Sequence, residues 1–357
     1  MAKSKLSPRQ SAKVKFLKRV AKDPLMPAQH QWTEDIPWVL PCGIVAIDSL
    51  GATDEHGHYG LPAGSVVTIS GDPKHGKTSF VLHYLAEAQK EQNGHPEMHC
   101  VYLDSEGCMM QIERLHAYGI DTDNITKVNP SNLEEAFEVI RRHMLASLEM
   151  DEKDRISFLF VLDSHSNLQV ASEENLDSIV DGGSIASYAR VTRLAMRRLN
   201  PLIRKTQSIL IAVAQATIDI SSAAYMRYPR KSHIAKRSLD FASAICFRIK
   251  QTGKIEENID GLKRKTGMEC NIQCDMSKVG WPGGVAKDMV MQFATGFDRW
   301  ICLHNGLASV SLIIRKGGRY QTLDGEISYS GKHGIEALEP EVQKELEDRY
   351  VREYTKK

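Results

Sequence analysis

The sequence predicts an α/β fold built around a parallel sheet, and two observations carry that expectation. The first is the apolar run Val66-Val67-Thr68-Ile69-Ser70, followed by Gly71-Asp72-Pro73-Lys74-His75-Gly76-Lys77-Thr78 and a helical pattern from Ser79 to Lys90. Strand, glycine loop and helix in that order fit G-x-x-x-x-G-K-[ST], the phosphate-binding loop, in its structural context. The second is a set of short apolar runs, Cys100–Leu103, Phe158–Leu162 and Ile209–Ala214, separated by helical patterns. Strands without polar alternation belong in a sheet buried on both faces.

Size and composition allow one large α/β domain with smaller additions. The chain has 357 residues, of which 42% are hydrophobic and 25% charged, ordinary values for a globular protein. No apolar run reaches membrane-spanning length, and the N-terminus lacks an apolar signal segment, so a cytoplasmic protein is expected. The seven cysteines are scattered without a C-x-x-C pair and read as reduced thiols. His56 and His58 share a glycine-rich loop and read as solvated residues rather than a metal site.

The net charge of +1 hides an asymmetry, because residues 1–22 hold eight cations and no acid. Ser7-Pro8 starts a helix there, with Val14, Leu17 and Ala21 at helical spacing. This basic amphipathic arm suits a neighbouring subunit, a membrane surface or DNA, and equally a solvated position. Pro24, Pro27, Pro37 and Pro41 mark a linker. Next come Ile44–Gly51, a Gly/His loop, and Gly60-Leu61-Pro62-Ala63-Gly64.

The phosphate loop calls for ATP and Mg²⁺. Residues Gly71 to Ser79 would cradle phosphate with backbone N–H groups and a helix N-terminus. Lys77 would reach the β- and γ-phosphates, and the Thr78 hydroxyl would face Mg²⁺. Downstream, Ser131 and Glu134 read as a capping box ahead of Leu133, Ala136, Phe137, Ile140 and Met144. The run Phe158–Asp163 ends in a carboxylate placed to hold Mg²⁺ through water. Val101–Glu106 ends in acids, of which Glu106 is the candidate base for the attacking water and Asp104 a brace. Ile209–Gln215 ends in an amide, a candidate sensor of the γ-phosphate.

Two loops and a helix supply cations. A polar loop covers about 169–184. In the helix after it, Arg190, Arg193 and Arg197 share one face, and Val191, Ala195, Leu199 and Leu202 another. A second loop, about 216–236, interleaves Tyr225 and Tyr228 with Arg227, Arg230, Lys231 and Lys236, and Arg237 follows. Arginine stripes suit a phosphate backbone, and aromatics among cations suit unpaired bases.

The assembled pattern resembles the RecA family of homologous-recombination ATPases, particularly the phage RecA-like recombinases. The likeness rests on Ala46–Gly51 with Gly60–Gly64, the phosphate loop, Leu103-Asp104-Ser105-Glu106, Leu162-Asp163-Ser164, Gln215, Leu239-Asp240-Phe241 and Ser277-Lys278-Val279-Gly280-Trp281-Pro282. It implies a RecA-type P-loop ATPase core with a mainly parallel twisted sheet flanked by helices. It also implies a basic N-terminal helix and linker (1–36) making a subunit contact, the core (37–298) and a small C-terminal α/β domain (299–357). Strand-like Leu312-Ile313-Ile314 and a final helix with Val342, Leu346 and Tyr350 fall in that last part.

By the same resemblance Glu106 is the catalytic glutamate, Gln215 couples nucleotide state to the second DNA loop, and Arg190 and Arg197 contact DNA. Lys278 would reach the ATP of a neighbouring subunit. Met276 stands where the family has a second such lysine, and the adenine-stacking tyrosine has no counterpart near Ile112. The implied activity is a DNA-dependent ATPase that forms a helical filament on single-stranded DNA and exchanges strands with a duplex. Accessory loader and single-strand-binding proteins would be further partners. Two rivals stand beside this reading: a hexameric helicase or other ring ATPase on the same core, and a non-catalytic mediator that coats single strands.

Overall fold

Strand β1 (Ser65–Gly71), the run that leads into the phosphate loop, lies in the interior of a nine-stranded sheet. The computed structural model describes residues 36–356 except 93, 108–110, 175–184, 219–230, 233–235, 281 and 282. The basic arm, residues 175–184 of the first polar loop, and Arg227 and Arg230 with their tyrosines lie outside the described residues.

After β1 come α1 (Lys77–Ala88), β2 (His99–Asp104), β3 (Ile125–Val128), α2 (Leu133–Leu148) and β4 (Phe158–Asp163). They are followed by α3 (Ile185–Lys205), β5 (Ile209–Gln215), α4 (Lys236–Ala242), and the hairpin β6 (Ile245–Ile259) and β7 (Leu262–Ser277). Then come β8 (Val285–Gln292), β9 (Gly296–Phe297), α5 (Arg299–Ser309) and α6 (Pro340–Tyr354). The strand order is β9-β8-β7-β6-β1-β5-β4-β2-β3. Strands β6, β1, β5, β4, β2 and β3 run parallel, and β7, β8 and β9 extend one edge antiparallel. From β1 the chain crosses over β5 and β4 to reach β2. That leaves a crevice at the carboxyl ends of the strands, where α/β sheets bind ligands.

Successive residues of the parallel strands enter different cores, which explains their lack of polar alternation. Val67, Ile69, Leu159, Val161, Ile211 and Val213 pack with Phe80, Val81 and Tyr84 of α1. Val66, Val101, Leu103, Phe160, Leu162 and Leu210 pack with α2 and α3 on the other face. Cys302, Leu303 and Leu307 of α5 and Leu346 and Tyr350 of α6 join the α1-side core. A strand at Ile313–Lys316 and the helix α6 stand where the strand-like Leu312-Ile313-Ile314 and the final helix were expected. The six described cysteines are buried free thiols.

Three details differ from the sequence reading. Helix α2 is capped one residue later than expected: the Asn132 side chain accepts from Glu135 N at 2.8 Å, and Ser131 N donates to Glu135 Oε2 at 2.7 Å. Glu135, not Glu134, is therefore the third helical residue that closes the box. In α3 the fully buried stripe is Tyr188, Thr192, Met196, Leu199 and Ile203, with Val191, Ala195 and Leu202 on its flank. The hairpin β6–β7 was not anticipated. Asp260 (φ 54°) and Gly261 (φ 79°) turn it, both left-handed as a two-residue type I′ hairpin turn requires.

Ahead of β1, the turn Val45–Asp48 buries an acid. Asp48 Oδ1 accepts the Cys42 N–H at 2.7 Å, and burial pushes its carboxyl up to about 7 from 3.8. A folded-state value above the unfolded one favours folding in acid, and the advantage is lost as pH rises through the folded value. Asp48→Asn keeps an acceptor for the Cys42 amide without the charge. Relative to the native chain, it should gain roughly 2–3 kcal/mol between pH 5 and pH 8. Urea unfolding of both proteins at the two pH values measures this, and an equal difference at both would refute it.

Candidate functional site

The site is built where β1, β2, β4 and β5 end. Gly71 and Gly76 are needed by the loop for different reasons. A Cβ on Gly71 would lie 2.7 Å from the Ile249 carbonyl oxygen of β6. Gly76 has φ +81°, and a Cβ there would strike Met268 and Met291. The left-handed glycine turns the chain into α1, so that Lys77 is the first helical residue. Lys77 is buried, and its Nζ donates to the carbonyls of Gly71 at 3.1 Å and Asp72 at 2.9 Å. Burial lowers its pKa, and the carboxylates of Asp163, Glu106 and Asp72 oppose that. The ammonium thus lies folded over the loop, among acids, with its donors aimed at weak acceptors that phosphate oxygens can replace.

Thr78 Oγ1 donates to Asp163 Oδ2 at 2.7 Å, and the Tyr102 hydroxyl donates to the same oxygen at 2.8 Å. Burial raises the Asp163 pKa, and the two hydroxyl donors and Lys77 hold it back. A hydroxyl and a carboxylate in contact are the hard oxygen pair that Mg²⁺ takes. Among the described residues no group of three or more His, Cys, Asp or Glu could hold a metal.

Glu106 follows β2 and is exposed, and its Oε1 accepts from Gln215 Nε2 at 2.9 Å. The Gln215 backbone N–H donates to Ser166 Oγ at 3.0 Å, which fixes the end of β5. Asp104 Oδ1 accepts the Glu106 N–H at 3.1 Å, so the brace expected of Asp104 acts through the backbone. Beyond Gln215, Thr217–Ile218 pairs antiparallel with Lys231–Ser232. The second cationic loop is therefore closed at its base by a short ladder beginning two residues after the amide.

The cations divide. Arg190, Arg193 and Arg197 are exposed on α3. Ser238 Oγ of α4 donates to the Ala189 carbonyl at 3.1 Å, which ties Lys236 and Arg237, at the start of α4, to the same helix. For Lys231 only the backbone is described. Lys278 does not join the phosphate loop; its Nζ donates to the Phe241 carbonyl on α4. Met276 lines a cleft of about 690 Å³ with Gly71, Asp72, His75 and Arg248.

Three contributors were missed from sequence: Tyr102, Lys127 and Arg114. Tyr102 reads as a core aromatic until its hydroxyl is seen on Asp163. Lys127 pairs with Asp104 across strands at 2.9 Å. Arg114 Nη2 donates to Ser79 Oγ at 2.9 Å, bracing α1 beside the loop. A polar tip within an apolar strand was a sign for Tyr102, but its partner, like that of Lys127, is set by strand order; Arg114 meets Ser79 from a short helix at Ile112–Ala117.

Sheet, loop and strand-end acids define a phosphate-loop protein of the α/β class. The family pattern for the RecA N-terminal domain matches residues 11–298. The chain belongs to the RecA family and is a RecA-like recombinase. It is 27% identical over 302 residues to "DNA repair protein recA homolog 3, mitochondrial" of Arabidopsis thaliana, covering 82% of this chain and 64% of the plant protein. It thus spans just under two thirds of that relative. It is 26% identical over 341 residues to Protein RecA of Cytophaga hutchinsonii, covering 93% of this chain and 86% of the relative. Protein RecA 2 of Myxococcus xanthus is 26% identical over 319 residues, covering 88% and 80%.

Proposed function

We propose that the chain is a DNA-dependent ATPase that binds ATP with Mg²⁺, assembles as a helical filament on single-stranded DNA, and exchanges strands with a homologous duplex in the cytoplasm. The observation that carries this reading is the hydrogen bond between Gln215 and Glu106. It joins the candidate base to the strand end from which the second cationic loop departs. A γ-phosphate that competes for the Gln215 amide would release Glu106 toward water and move the loop base in one step. DNA held by the loop would act back on Glu106 by the same link.

Residues Gly71 to Ser79 would hold the phosphates, with Lys77 neutralising charge that builds on the departing oxygens. Thr78 and Asp163 would hold Mg²⁺, which supplies charge neutralisation between the phosphates when bound. Glu106 would orient the water and take its proton. Arg190, Arg193, Arg197, Lys236 and Arg237, with Arg227, Arg230 and Lys231 of the loop, would hold the DNA backbone. Lys278 would complete the nucleotide site of the next subunit, and residues 1–36 would supply a subunit contact. The C-terminal residues 299–357 would form a small domain, seated on the ATPase core through α5 and α6.

ATP turnover by the full chain, measured with and without a single-stranded oligonucleotide, tests the reading. Stimulation that weakens steeply with added salt is expected. Equal turnover in both conditions would overturn it.

A further inference from the structure

We infer that Lys127, on the outermost parallel strand, is a positioning residue for Glu106, acting through Asp104. The inference rests on Glu106 being the hydrolytic base. Strands β2 and β3 pair in parallel with Tyr102 opposite Lys127 and Leu103 opposite Val128. Side chains of residues opposite one another, and of residues two apart on one strand, share a face. Lys127, Tyr102 and Asp104 therefore lie on one face of the sheet, the face that α1 covers.

From there Lys127 reaches along β2 and places its Nζ 2.9 Å from Asp104 Oδ2. The two partners are unequally wet: the Asp104 side chain is 1% exposed and that of Lys127 46%. A carboxylate so far removed from water must be compensated by charge and hydrogen bonds. Its second oxygen, Oδ1, is used for a different purpose and accepts the Glu106 N–H at 3.1 Å. One carboxylate is thus gripped by a cation from the edge strand at one oxygen, and grips the turn that carries Glu106 at the other. Beyond that turn stands the bond from Gln215 to Glu106.

The phosphate loop is held by other means. Lys77 bonds the carbonyls of Gly71 and Asp72, and Thr78 bonds Asp163. Removing Lys127 therefore leaves the nucleotide cradle intact but loosens the turn before the base. Misplacement of a reacting group by a fraction of an ångström to an ångström acts on turnover far more than on binding. An arginine in place of Lys127 can keep the ion pair. An asparagine in place of Asp104 still accepts the Glu106 amide but no longer needs a cation.

The test uses the full chain with single-stranded DNA. Lys127→Met is expected to lower kcat for ATP about tenfold, with ATP affinity changed less than about twofold. Lys127→Arg should restore kcat to within about threefold of the native value, and adding Asp104→Asn to Lys127→Met should recover most of the loss. In a Glu106→Gln background, Lys127→Met should leave the residual rate unchanged within about twofold. A native kcat in Lys127→Met overturns the inference. So does a parallel loss of kcat, ATP affinity and thermal stability that arginine does not rescue, since that is a purely structural role. If Glu106→Gln abolishes hydrolysis while Lys127→Met does not affect it, only the positioning role fails. If Glu106→Gln hydrolyses ATP normally, the reading of Glu106 fails and the positioning role with it.

Discussion

Replacing Glu106 with glutamine is expected to cut DNA-stimulated ATP hydrolysis by roughly 10²–10⁴-fold, the usual contribution of a positioned general base. The substitution removes a negative charge and a proton acceptor but little volume. Its amide oxygen can still accept from Gln215, so the link that Glu106 Oε1 makes at 2.9 Å need not break. The nucleotide cradle should bind at least as well. Glu106 is one of the carboxylates that sustain the charge of Lys77, but burial and the Asp163 carboxylate act on that lysine more strongly. Binding to single-stranded DNA in the presence of ATP should therefore survive and last longer, because the bound triphosphate is not consumed. Single-turnover hydrolysis and fluorescence anisotropy with a labelled oligonucleotide separate the two properties. Loss of nucleotide-dependent DNA binding together with hydrolysis would mean that Glu106 supports the structure of the site rather than its chemistry.

The parts of the site that were legible in the sequence are those whose roles depend on local chain order. A glycine loop between a strand and a helix, and acids or an amide at the ends of apolar strands, mark positions on one sheet edge regardless of which strands are neighbours. Asp163, Glu106 and Gln215 accordingly fall beside the phosphate loop. Tyr102 and Lys127 were not legible because their partners are set by strand order: β2 lies between β4 and β3, and nothing in a single sequence states that. The hairpin β6–β7 was hidden for another reason. Its outer half pairs Glu256 with Lys265 and Glu257 with Arg264 in solvent on both faces, so it has no apolar period to read. Only Asp260-Gly261, a strong two-residue hairpin sequence, announced it. The shift of the buried stripe in α3 has a related origin. Thr192 is buried on the strength of hydrogen bonds to the Tyr188 carbonyl and His165, which an apolar count passes over.

Replacing Arg190, Arg193 and Arg197 together with alanine should weaken single-stranded DNA binding on the order of 100-fold or more at moderate salt. It should also flatten the dependence of log affinity on log salt by about 2, since each phosphate contact on a single strand contributes about 0.7 to that slope. The fold has little reason to suffer. All three side chains are exposed, and alanine matches or exceeds arginine in helix propensity. The buried face of α3 is carried by Tyr188, Met196, Leu199 and Ile203. Arg198 provides the matched control on the same helix. It is exposed too, but it lines a groove with Glu134, Glu138 and Arg141 of α2, about a quarter turn away from Arg197. Arg198→Ala removes one charge in the same protein field without removing a backbone contact, so its salt slope should shift by clearly less than the 0.7 or so of a single contact. The comparison distinguishes a docked phosphate track from a diffuse positive surface. Were general charge responsible, the triple variant would lose about three times what Arg198→Ala loses and the slopes would scale with net charge alone. A track predicts a loss out of proportion to charge, and one that persists when the oligonucleotide sequence is changed, because backbone contacts carry no base information.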